Sequence, residues 1–124
     1  DGDLDLFLVQ HAARPRLFRN DGGNANGWLK VKTKGSKSGR DGVGAKITVT
    51  YDRSKAPLVA VVTAGDNYLS MNPLVQHFGL GPGDDPVPEV RVAWPAGCAQ
   101  TFRDVPRNTV LVADEAECGT QSTW

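Results

Sequence analysis

Two histidines, two cysteines and a few glycine-rich charged loops hold whatever chemistry this chain can perform. His77 lies in Val75-Gln76-His77-Phe78-Gly79-Leu80-Gly81. As a base or a metal ligand it would need a partner within reach. Ser70 stands seven residues upstream but lacks the Gly-x-Ser-x-Gly elbow that exposes a hydrolase nucleophile. A structural histidine bonded to a loop carbonyl is the expected role, and His11 is expected to be exposed. The stretch Gly-Ser-Lys-Ser-Gly-Arg-Asp-Gly from residue 35 could turn several N–H groups toward an anion, with Arg40 and Asp41 at its centre. It lacks the phosphate-loop pattern, and a strand follows it rather than a helix. A structural loop is therefore expected: Asp41 capping the turn, Arg40 bridging to an acid, and the glycines at positive φ. Gly79-Leu80-Gly81 lacks the third glycine of a dinucleotide fingerprint. Asp66, Asn67 and Tyr68 form the best candidate for surface recognition of a glycan, with burial of Tyr68 as the alternative. Trp28 and Trp94 alternate with core positions and read as core or sheet-edge residues. Trp124 completes the aromatic set.

Cys98 and Cys118 suit neither a four-ligand zinc site nor a Cys-x-x-Cys redox motif. Paired, they would close a loop of about 20 residues, worth roughly 3 kcal/mol, and tie the C-terminal tail to the preceding hairpin. That pairing requires an oxidising compartment, and the alternative is two free thiols. The 14 basic and 14 acidic residues cancel to a formal charge of zero, so no basic excess exists to hold nucleic acid. No apolar run approaches the ~20 residues of a membrane span. The chain starts at Asp1 without a methionine and reads as a processed or excised piece.

The elements that would position these residues follow a period of two. Residues 4–9 read as a strand. Leu29 and Val31 alternate with lysines, and Ala45, Ile47, Val49 and Tyr51 share a face. Val90, Val92 and Trp94 alternate against Arg91 and Ala93, and residues 109–112 close the series. Residues 58–62 are continuously apolar, which predicts a central strand covered on both sides. Glycine and proline cluster between these runs. The expected fold is all-β: one compact sandwich or barrel-like domain with a leading strand. A polar segment at residues 20–27 marks the expected internal boundary.

Five ordered pieces carry a family resemblance: Arg-Leu-Phe-Arg-Asn-Asp-Gly-Gly (16–23), Trp-Leu-Lys-Val (28–31), the loop and strand of 35–49, residues 65–81, and the pair at 90–97 and 100–108. Over residues 16–112 the chain resembles the ASPIC/UnbV family, a β domain of cartilage acidic protein and of bacterial secreted proteins that usually follows FG-GAP propeller repeats. The N-terminus resembles the end of an FG-GAP repeat. That likeness implies calcium ligands at Asp1, Asp3 and Asp5, too few oxygens for a tight site alone. The implied organisation is an FG-GAP-like strand and linker over 1–23, the β domain over 24–113 and a tail over 114–124. The implied function is a secreted, non-catalytic domain for protein interaction, adhesion or assembly. Its partner would be a protein surface, the propeller of the same protein, identical subunits or a glycan. A leading strand with an unpaired edge could build filaments. The alternative is a calcium-dependent carbohydrate-binding or accessory domain of a larger secreted enzyme.

Overall fold

Alternation in the sequence becomes alternation in burial. The computed structural model of the chain describes residues 2–119. Strand β3 (Gly27–Lys34) turns Leu29, Val31 and Thr33 into the core and its lysines away. It pairs antiparallel with β6 (Gln76–Gly81), which buries Phe78 and Leu80, and parallel with β9 (Thr109–Asp114), which buries Ala113. The resulting three-stranded sheet has the order β6-β3-β9.

A second, antiparallel sheet has the order β5-β4-β7-β8, built from β4 (Lys46–Thr50), β5 (Leu58–Val61), β7 (Val87–Ala93) and β8 (Ala99–Val105). Its inward residues Ile47, Val49, Val90, Val92 and Val105 join Leu29, Val31, Phe78, Leu80 and Trp94 in one hydrophobic core. Each fully buried Val, Leu or Ile contributes about 1.5–3 kcal/mol of transfer free energy, so these inner faces hold the two sheets together. The all-β expectation holds. Among the described residues the only helical pieces are 3-10 turns at Gly23–Ala25 and Glu115–Glu117.

The third sheet is a separate two-stranded ribbon of β1 (Leu6–Leu8) and β2 (Arg16–Phe18). The leading strand is shorter than the expected 4–9. Its edge is not orphaned either: Leu6, Phe7 and Leu8 stand opposite Phe18, Leu17 and Arg16.

Two other expectations change. The apolar run at 58–62 is not a central strand. Strand β5 lies at the sheet edge, with Leu58 and Ala60 half-buried while Val59 and Val61 face outward, 53% and 46% exposed. Only one face of this sheet meets the other sheet, so a continuous apolar run overstates its cover. The second half of the segment at 65–81 adds a strand, β6, that the period-two runs did not include. There Gly79 takes the outer position between inward Phe78 and Leu80.

Candidate functional site

Two places concentrate the polar and apolar features that the core leaves over. The first is the end of the sandwich where β3 runs out. Residues 35–42 fold back on themselves: the Gly35 N–H donates to the Arg40 carbonyl at 3.0 Å and that of Gly42 to Gly39 at 3.1 Å. Thr33 Oγ1 donates to the Asp41 carbonyl at 2.7 Å. Gly39, Gly42 and Gly44 have φ of 81°, 67° and 91°, the left-handed region where glycine alone is unstrained. Gly35 is fixed for another reason, because a Cβ there would sit 1.8 Å from the Gly39 carbonyl oxygen. Gly35→Ala is expected to open this loop and cost about 2–4 kcal/mol, read as a lowered melting temperature.

The loop is an anion cradle, and the anion is the chain's own. Glu115, 5% exposed, brings Oε2 within 2.6, 2.7 and 2.8 Å of the backbone N–H groups of Ser36, Lys37 and Ser38. The Ser38 hydroxyl donates to Oε1 at 2.5 Å and itself accepts from the Ala96 N–H at 3.1 Å. Burial alone would raise the carboxyl pKa. The bonds from the Ser38 hydroxyl and from the three backbone N–H groups outweigh burial and carry it from 4.5 to about 2.

A depressed folded-state pKa means stability that is fully present above pH 4.5 and lost as pH falls through about 2. Glu115→Gln is expected to be less stable at neutral pH and to lose that acid dependence. Chemical denaturation between pH 6 and pH 2 would check it: the gap between wild type and variant should narrow as pH falls.

Sequence reasoning missed Glu115, which reads as one acid in a polar tail. The sequence raises an anion cradle here but favours a structural loop in its place; the structure shows the cradle, with an occupant some 77–79 residues away. Arg40 and Asp41, the expected actors, are exposed. Asp41 contributes its backbone carbonyl rather than a capping side chain, and Arg40 bridges to no acid among the described residues.

Around Glu115 the strand ends are fastened repeatedly, both between the two sheets and within one of them. Gln100 on β8 is buried; it accepts from Trp94 Nε1 at 2.9 Å and donates to the Asp114 carbonyl on β9 at 2.8 Å. Lys34 Nζ meets Asp114 Oδ2 at 2.6 Å where the parallel register aligns them. The Lys34 hydrogen bond lowers the Asp114 pKa, and the same bond raises that of Lys34. Cys98 and Cys118 are disulfide-bonded, as expected, with Cα atoms 6.3 Å apart.

The second place is the N-terminal ribbon and its root. His77 Nε2 lies 3.0 Å from the Gly2 carbonyl, the loop-carbonyl bond expected of it. The His77 ring stacks on Trp28 at 6.3 Å between centroids, and Lys30 Nζ sits 5.0 Å from the Trp28 ring. A cleft of about 400 Å³ lies at this root, lined by Asp3, Asn20, Asn26, Trp28 and His77 among others. Beyond it the ribbon is exposed on both faces: Leu6, Leu8 and Phe18 on one, Phe7 and Leu17 on the other.

Residues 35–120 match the family described as ASPIC and UnbV. The chain belongs to the ASPIC and UnbV family. In this ASPIC and UnbV domain the matched span opens on Gly35, the first residue of the cradle, and takes in both Glu115 and the disulfide. The ribbon and β3 lie N-terminal to it. No curated protein matches the chain.

The remaining expected site residues are scattered. Tyr68 is 95% exposed on the loop between β5 and β6, not buried in the sandwich end. Asp66, at the base of that loop, bonds Thr63 Oγ1 and accepts from Asn72 Nδ2 at 3.4 Å, and Asn67 is exposed. Trp94 is a core residue and Trp28 half-buried, as read. Asp5 accepts from the Asn20 N–H at 2.9 Å. Asp1 and Trp124 lie outside the described residues. Among those residues no three His, Cys, Asp or Glu side chains form a group able to hold a metal ion. No helix among them is long and apolar enough to cross a membrane.

Proposed function

We propose that this domain is a non-catalytic, extracellular interaction module that joins identical subunits through its N-terminal ribbon. One observation carries the reading: the ribbon exposes apolar side chains on both faces and touches neither sheet of the sandwich through strand pairing. A two-stranded ribbon is marginal in water on its own. Leu4, Leu6, Phe7, Leu8, Val9, Leu17 and Phe18 are 39–72% exposed, so apolar surface is divided between the two faces of the ribbon and its flanks. Clustered exposed apolar side chains of this kind mark interaction surfaces.

Exposure on two faces sets the kind of assembly. A closed two-fold dimer covers one face of each ribbon and leaves the other in water. Covering both requires a neighbour on each side, which makes the association open-ended. The free outer edges of β1 and β2 offer backbone pairing for the same purpose. The disulfide supports an oxidising, extracellular setting.

Light scattering across a concentration series, with electron micrographs of the most concentrated sample, tests this. The expected result is a mass that grows past the dimer and elongated particles. A monomer at every concentration would overturn it.

A further inference from the structure

Independently of the ribbon, we infer that the loop of residues 35–42 is a carboxylate-binding site filled in cis, one that accepts a small free carboxylate once Glu115 is removed. Three successive N–H groups, from Ser36, Lys37 and Ser38, converge on a single oxygen, and a hydroxyl holds the other. Convergence of this kind is the nest geometry by which backbone binds anions.

The receptor half has its own scaffold. Its closing bond from Gly35 to Arg40, the Gly42 to Gly39 turn and the Thr33 to Asp41 bond do not involve Glu115. Ser38 Oγ is held from its other side by the Ala96 N–H. The ligand half is a separate piece of chain, delivered by the end of β9 and positioned by Asp114, whose Oδ1 accepts from the Ala116 N–H at 3.0 Å. The disulfide ties that piece down independently. Deleting the Glu115 carboxylate should therefore leave a shaped site behind it.

The class of ligand follows from the donors. Five hydrogen-bond donors aimed at two oxygens, the fifth a longer bond from the Ser36 hydroxyl to Oε2 at 3.5 Å, suit a planar carboxylate. Glu115→Ala removes the atoms of acetate, so acetate is the natural probe. Chloride offers one spherical acceptor and cannot engage both the nest and the hydroxyl. The charges nearest the cradle in sequence or by contact are Lys37, Arg40 and Asp41 on the loop, Lys34 and Asp114 at the strand ends, and Glu117 beyond. These charges are common to both anions, so comparing acetate with chloride at matched ionic strength isolates the shape of the site.

The experiment is a titration of Glu115→Ala with sodium acetate, against sodium chloride, followed by melting temperature and by the amide resonances of Ser36, Lys37 and Ser38. The variant is expected to melt about 10 °C below wild type. Acetate at tens of millimolar should recover part of that loss and shift the three resonances along a saturable curve, and chloride should do neither. Equal effects of the two salts, or no saturable shift, would overturn the proposal. If the variant is unfolded, acetate should restore its folded signal and chloride should not. If neither salt folds it, the proposal falls.

Discussion

Replacing both Cys98 and Cys118 with serine is expected to lower the stability of the domain by about 3 kcal/mol. For a chain of this size that is roughly 10 °C in melting temperature. The disulfide closes a loop of 20 residues spanning β8 and β9, strands that belong to different sheets. Its effect reaches beyond loop entropy, because it holds the chain end that delivers Glu115. The single change Glu115→Gln and the double serine variant should therefore be non-additive. With the disulfide gone, the segment after β9 is freer to leave, and losing Glu115 as well should cost less than the sum. Denaturant unfolding of the four variants in a double-mutant cycle measures this. An interaction energy within experimental error of zero would mean that the two fasteners act separately.

Much of the frame was legible because it obeys local rules. The lysine-interrupted run of β3 and the small alternating residues of β4 and β7 each declare an inward face through period two. The two cysteines left one pairing to consider. The errors arose where cover depends on something distant. The run at 58–62 reads as doubly buried, but how many neighbours a strand has is set by sheet order. Val59 and Val61 end at an edge. The hairpin partner of β1 hides in three residues whose signal is too short to separate from a linker. Glu115 gives no local hint either. Its meaning arises only when the parallel pairing of β3 with β9 places Lys34 opposite Asp114, so that the next residue meets the loop leaving β3. The glycines of that loop declared a shaped turn, but that the turn binds an anion emerges only from the long-range register that brings Glu115 to it.

Charging the ribbon should abolish association while leaving the sandwich intact. Phe7 and Leu17 stand opposite each other on one face and are 62% and 66% exposed. Changing both to aspartate places like charges side by side and removes the apolar area that drives contact. Sedimentation velocity of Phe7→Asp/Leu17→Asp is expected to show a monomer at concentrations where wild type assembles. Its melting temperature should stay within a few degrees of the wild-type monomer, since neither side chain belongs to the core. Aspartate at Leu6 and Phe18 blocks the opposite face, and alone it should also give a monomer, because each contact in the stack pairs one face with the other, whereas a two-fold contact through Phe7 and Leu17 would survive it. That distinction separates stacking on two faces from a simple two-fold contact. Unaltered assembly in both variants would move the interface elsewhere, with the exposed Val59 and Val61 edge as the next surface to change.

Hydrogen exchange across the ribbon as a function of protein concentration reads directly whether the ribbon is what associates. In the dilute monomer the amides of Leu6–Leu8 and Arg16–Phe18 should exchange quickly, as befits a two-stranded ribbon in water. On association these amides should become strongly protected, while protection at the outer edges of the sandwich stays unchanged. Assembly without new protection in the ribbon, or protection gained only at β5 or at the loop bearing Tyr68, would contradict the account.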